Sequence, residues 1–153
     1  MNNIKEDILK SSRELFTNYG YKKVSMDEIA KASGVTKKTV YSYFKDKASL
    51  LKTLIDEEMA KMKKIIISHS NINDENFFEE VNKTLYDLLK YKREAKLFVT
   101  LTKEADELNT ISSKNSIEMI DDAILSFIKE RLSWAIEKGY VKKCDPDLCA
   151  FII

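Results

Sequence analysis

Apolar residues at Ile4, Ile8, Leu15, Phe16 and Tyr19 form one stripe at the 3.6-residue period, with Lys5, Glu6, Lys10, Arg13 and Glu14 mostly off it. The pattern predicts a helix over residues 4–19, closed by Gly20. Ser25-Met26-Asp27-Glu28 is then an S-x-x-E capping box, with Val24 and Ile29 in the flanking positions of a hydrophobic staple, which predicts a short helix over 26–34. A second staple, Val35 with Val40 around Thr36 as N-cap, starts another over 36–43.

Downstream the same period recurs in longer blocks. Asp46 is the expected N-cap of a helix over 46–67, with Leu50, Leu51, Leu54, Ile55, Met59 and Met62 on its apolar side. Residues 68–74 are polar and loop-like. Phe77, Phe78, Val81, Leu85, Leu88 and Leu89 predict a helix to about residue 91, and Leu97, Phe98, Leu101 and Ala105 another over 95–108. After a polar break at 109–116, a helix is expected over 117–138, ended by Gly139. Asp145-Pro146 reads as N-cap and first turn of one more, with Cys144 and Cys149 as its staple residues rather than redox groups.

Composition agrees with an all-α chain. The 153 residues include three glycines and one proline, where average usage gives roughly 18. That excludes Gly-rich phosphate loops and makes a hairpin-rich β fold improbable. One histidine and two cysteines are too few for a Cys/His structural zinc site. His69 lies in the polar stretch Ser68-His69-Ser70-Asn71 and reads as an exposed loop residue. The paired acids Glu79-Glu80 and Asp121-Asp122 lack a partnered base and read as solvated faces, so neither an enzyme nor a cofactor is expected. The charged N-terminus and the longest aliphatic run, Ile65-Ile66-Ile67, give no signal peptide and no membrane span, and a cytoplasmic protein is expected.

The net charge of +1 hides a division, because residues 1–52 hold 11 Lys plus Arg against 6 Asp plus Glu while the remainder hold 15 against 19. The asymmetry points to a polyanion partner for the first third, but a charge run by itself is more often a solvated face, and the pattern inside the segment decides between them. There, two short helices separated by a Gly-containing turn form a helix-turn-helix, whose second helix enters the DNA major groove. In that helix Val40 and Phe44 face inward, leaving Lys37, Lys38, Thr39, Tyr41, Ser42 and Tyr43 for the other faces. Thr36 and the helix N-terminus suit a phosphate, the lysines suit guanine acceptors or phosphates, and the tyrosines offer a hydroxyl and a ring. Lys47, on the first turn of the next helix, is expected near the same duplex face.

The run SMDEIAKASGVTKKTVYSYFKDKASLL, from Ser25 to Leu51, resembles the helix-turn-helix of the tetracycline-repressor (TetR) family of bacterial transcriptional regulators, and Leu15-Phe16 and Gly20-Tyr21 before it fit as well. The resemblance implies a homodimer on double-stranded DNA with a near-palindromic operator, and repression relieved by a small molecule. Its DNA-contacting positions fall on Ser25, Thr36, Lys37, Lys38, Thr39, Tyr41, Tyr43 and Lys47. It also implies a division into a DNA-binding domain, residues 1–46, and a helical ligand-sensing and dimerisation domain, residues 47–153, in which most of the final dimerisation helices are lacking. Met59, Met62, Tyr86, Phe98, Phe127 and Trp134 are candidates to line a pocket for a small hydrophobic effector. The alternative is the same DNA-binding fold controlled by a protein partner.

Overall fold

In the computed structural model the first helix, α1, spans Ile4–Tyr19, and the structure describes residues 3–69, 73, 75–108 and 111–146, the side chains of 106–108 and 111–113 excepted. The buried face of α1 is Ile8, Leu9, Ser12 and Phe16. Ile4 and Tyr19 are instead exposed, so the stripe turns by about one residue from the expected one. The polar member costs little, because the Ser12 hydroxyl donates to Ile8 O in its own helix at 2.7 Å.

Helix α2, Met26–Ala32, begins with the full capping box: Ser25 Oγ accepts from Glu28 N at 3.3 Å, and Ser25 N donates to the Glu28 carboxylate at 2.7 Å. It ends two residues before Gly34. Gly34 N–H bonds Lys31 O at 3.3 Å and Val35 N–H bonds Ala30 O at 3.0 Å, the pair of a Schellman motif with Gly34 at φ +68°. A Cβ there would meet nothing within 4 Å, so substitution costs backbone strain alone. Gly34→Val is expected to lose about 1–2 kcal/mol in urea denaturation, and Gly34→Asn, which tolerates a left-handed backbone, to recover most of it. Equal stability of the Val and Asn variants would show that the turn is not held left-handed.

Helix α3, Lys37–Tyr43, is capped by Thr36, whose hydroxyl accepts from Thr39 N at 3.1 Å. Helix α4, Lys47–Ser68, is capped by Asp46 through Ser49 N at 2.7 Å. Then follow α5, Phe77–Glu94, α6, Lys96–Leu108, and α7, Ile111–Glu137. These seven helices, among the described residues, match the all-α expectation of an N-terminal helix-turn-helix followed by a helical bundle.

Two expectations are corrected. The polar break at 109–116 is shorter than expected, since residues 111–116 are already helical; α7 packs along α6 and α4, Ser116 is buried, and packing outweighs weak local propensity. His69 is not exposed: its side chain is 13% accessible and lies between Asp87 at 3.0 Å and Glu80 at 3.3 Å, tying the end of α4 to α5. Asn71 and Cys149 lie outside the described residues, and Cys144 is half-buried.

One core runs through the molecule. Ile8, Phe16, Ile29 and Val40 of the first three helices belong to the same buried cluster as Leu54, Leu88, Phe98, Leu101 and Phe127. Helix α6 packs on α1 as well as on α7, and α4 packs on α1, α5 and α7. The helix-turn-helix is therefore mounted on the bundle through α4 and α6. Among the described residues no helix is long and apolar enough to cross a membrane.

Candidate nucleic-acid interface

Helix α3 has one buried edge. Val40 is 0% and Phe44 4% exposed, and at 100° per residue Lys38 and Ser42 stand furthest from them. Tyr41 and Tyr43 occupy the two flanks and are about half exposed, 46% and 47%. Lys38 projects from the middle of this face, and Lys37 beside it reaches back to Asp27 at the start of α2, 3.0 Å away. The hydrogen bond to Asp27, with its charge, holds the Lys37 ammonium above its ordinary range. Thr36 and Thr39 are joined through their hydroxyls at 2.8 Å. A two-tyrosine, two-lysine surface is thus presented by a helix fixed at both ends: its cap at Thr36, and Phe44 packed in the core.

Ser25 is exposed at the start of α2, but its hydroxyl donates to Glu28 at 2.7 Å. Hydrogen bonds from the Ser25 hydroxyl and amide hold the Glu28 carboxyl below its usual range. Lys47 stands on the first turn of α4, as expected, and its ammonium is engaged within the protein. It donates to three carbonyls of the α1–α2 loop, Tyr21 O at 2.8 Å, Lys22 O at 3.3 Å and Val24 O at 2.7 Å. It also lies 4.5 Å from the Tyr21 ring centroid. Burial pulls its ammonium below the ordinary lysine range, partly opposed by the charges of Glu104 and Glu28.

The other side of the same loop is held by Glu104, which sequence reading did not single out. One carboxylate oxygen accepts from Tyr21 N at 3.1 Å and the other from Lys22 N at 2.5 Å. Glu104 is 5% exposed and belongs to α6, so the bundle grips the loop's N–H groups while α4 grips its carbonyls. Gly20 permits this approach: it sits at φ +87°, and a Cβ there would come within 3.2 Å of Glu104 Oε1. Thr100, also of α6, donates to Thr17 O of α1 at 2.9 Å.

A second junction missed in the sequence surrounds Glu58 of α4, 3% exposed. It accepts from Arg13 of α1, from Tyr91 of α5, and from Lys61 at 2.7 Å. Arg13 also reaches Glu57 at 2.8 Å.

The six candidate effector contacts are not brought together. Met59 and Met62 line a cavity of about 400 Å³ between α4, α5 and α7, with Leu88 and Ile124 in its wall and Asp56 and Lys63 also lining it. Phe127 lines a separate cavity of about 190 Å³, and Trp134 stacks on Phe77 with ring centroids 4.4 Å apart. Phe98 is core, packed edge-on against Tyr91. Tyr86 is 62% exposed and faces solvent.

Residues 8–54, which hold most of α1 and all of α2 and α3, match the family described as bacterial regulatory proteins, tetR family. The chain is 31% identical over 149 residues to the HTH-type transcriptional regulator YhgD of Bacillus subtilis, covering 97% of this chain and 78% of that one. Its fold is similar to that of the transcriptional regulator FadR from Bacillus subtilis in complex with stearoyl-CoA, with a TM-score of 0.73, 20% identity, and coverage of 96% of this chain and 79% of that one. It is also similar to AibR in complex with isovaleryl coenzyme A and operator DNA, with a TM-score of 0.68, 23% identity, and coverage of 97% and 80%.

Proposed function

The chain belongs to the tetR family of bacterial regulatory proteins, DNA-binding transcriptional regulators, and on that premise we propose that it represses transcription as a homodimer and leaves its operator when a small apolar effector binds the bundle. The observation that carries the reading is the surface of α3, where lysines and half-exposed tyrosines surround a single buried edge. Each α3 reads half of a near-palindromic site. Lys38 makes the central contact, with Tyr41 and Tyr43 on the two flanks, Lys37 and Thr39 beside them and the Ser25 and Thr36 caps against the backbone. Lys47 acts indirectly, by fixing the α1–α2 loop. The division of labour falls between residues 46 and 47, although the core is continuous across it.

The effector site of this reading is the cavity beside Met59 and Met62, whose walls are largely apolar. The acyl-CoA ligands of FadR and AibR, proteins of similar fold, support a ligand with an acyl chain. Its signal has a short route outward, because α4 carries both the methionines and, at its first turn, Lys47 on the loop.

The test is an anisotropy titration on a fragment selected from genomic DNA by the protein. Lys38→Ala and Tyr41→Ala are each expected to weaken binding by about tenfold, roughly 1.4 kcal/mol, with melting temperatures unchanged. Log affinity is expected to fall steeply with log salt, and the Lys38 variant to flatten the slope by about one if its contact is a phosphate. Unchanged affinity in both variants, or a flat salt dependence, would remove α3 from the interface.

A further inference from the structure

Helix α2 brings an acid to an edge of the reading face where a cation is expected. Asp27 stands on its first turn, and the Lys37 ammonium at the start of α3 lies 3.0 Å from each of the two carboxylate oxygens. Both side chains are more than half exposed, 66% for Asp27 and 54% for Lys37. Wherever α3 offers this ammonium to a phosphate, the carboxylate is offered with it, and the two together are close to neutral. Lys38, one residue on, makes no ion pair among the described residues and presents its full charge. An acid on the first turn of a helix is favoured by the helix dipole, but Glu28 already supplies one there and closes the capping box. The partner of Asp27 is on the other helix, ten residues away.

Given the DNA-binding reading above, on which this inference rests, we propose that Asp27 sets the sequence discrimination of the head: it neutralises Lys37 on DNA of arbitrary sequence and releases it only at the operator. Binding to arbitrary sequence is almost wholly phosphate electrostatics, and a lysine whose charge is cancelled 3.0 Å away adds little to it. An exposed ion pair is nonetheless weak, so a phosphate held close displaces the carboxylate. Base contacts by Lys38 and the tyrosines hold α3 in the groove at the operator alone, and there Lys37 exchanges Asp27 for the backbone. The carboxylate thus lowers affinity for the many wrong sites more than for the right one, and their ratio is what counts against a genome.

Anisotropy titrations over a salt series compare the genomic fragment selected by the protein with a random-sequence duplex of the same length. Asp27→Asn, which keeps the shape and removes the charge, is expected to bind the random duplex about fivefold more tightly, with a salt slope steeper by about one. Its gain on the genomic fragment is expected to be about twofold at most, the worth of a weak exposed pair, so the specificity ratio falls. Lys38→Ala, by contrast, weakens both duplexes. In a Lys37→Ala background the gain from Asp27→Asn on the random duplex shrinks below about twofold, because no masked cation is left to release. Circular dichroism melts confirm that each variant is folded. Unchanged random-duplex affinity in Asp27→Asn, or an equal gain on both duplexes, would overturn the proposal. So would the same gain with and without Lys37, which would leave Asp27 only a long-range repulsion. Failure of the DNA-binding reading itself looks different: wild type then binds neither duplex with a salt-dependent affinity, and the proposal falls with it.

Discussion

Replacing Glu104 by alanine is expected to cost about 2–3 kcal/mol of stability and to loosen the head from the bundle before the molecule unfolds as a whole. The carboxylate accepts from two consecutive backbone amides, one per oxygen. Lys22 is exposed and its freed N–H is rehydrated, but Tyr21 is 8% exposed and its N–H is left without a partner, which sets the size of the loss. Glutamine at position 104 separates charge from shape. It keeps the length of the side chain but turns one oxygen into an NH₂ group facing an N–H, so donor meets donor. Glu104→Gln should therefore be nearly as damaging as alanine, whereas a role confined to packing would leave it close to wild type. Amide exchange gives the local reading: Tyr21 and Lys22 N–H should lose protection while the amides of α7 keep theirs. A glutamine variant with wild-type melting temperature and wild-type protection at Tyr21 would disprove the grip.

The head was legible in the sequence because its signals are local. Ser25 with Glu28, Thr36 with Thr39 and Asp46 with Ser49 are each three residues apart, and the inward pair Val40 and Phe44 four apart. Short spacings are what periodicity and capping rules read. The partners of Glu104 lie 82 and 83 residues away, and those of Glu58 reach 45 and 33 residues away, so no local rule identifies them.

One trace of them is nonetheless present. Glu104 falls on the stripe of Leu97, Leu101 and Ala105, and Glu58 on that of Leu51, Leu54, Ile55 and Met62. Ser12 and Thr84 interrupt buried faces in the same way, yet each satisfies itself on its own helix, at Ile8 O and Glu80 O, both 2.7 Å away. A buried carboxylate finds no free backbone N–H within its own helix interior, so apart from a nearby side chain such as Lys61 for Glu58 it takes its donors from another element. An acid on an apolar stripe therefore marks a junction between helices, and among the described residues Glu58 and Glu104 both join the helix-turn-helix to the bundle. The effector residues were less legible for the opposite reason. Methionine and aromatic stripes look the same whether they line a cavity, as Met59 does, or fill the core, as Phe98 does.

Loss of Glu58 is expected to be the costlier of the two, about 3 kcal/mol or somewhat more on replacement by alanine, the lower end for a broken buried ion pair. The lower end applies because two partners have other recourse: Arg13 keeps Glu57 at 2.8 Å, and Lys61 is half exposed. Tyr91 does not, and its half-buried hydroxyl loses its acceptor. The pH dependence carries a sign that packing alone would not. Burial pushes the Glu58 carboxyl up, but hydrogen bonds from Lys61 and Tyr91 and the charge of Arg13 outweigh it, so it titrates below its ordinary 4.5. A carboxyl depressed by folding contributes stability above its unfolded value and loses it as pH falls through the folded one. The stability gap between wild type and Glu58→Ala should thus be full at pH 7 and close progressively below about 4.5. Tyr91 has the reverse sense. Burial, then its bond to Glu58, raises the phenol above its ordinary 10.0, so its contribution is full below that value and is lost as pH rises through the folded one. Tyr91→Phe should cost about 1.5–3 kcal/mol at neutral pH and remove that alkaline loss. Urea denaturation of the three proteins at pH 7 and pH 4 decides the matter: a Glu58→Ala gap equally large at both would mean that the ionised carboxylate is not what binds α1, α4 and α5 together.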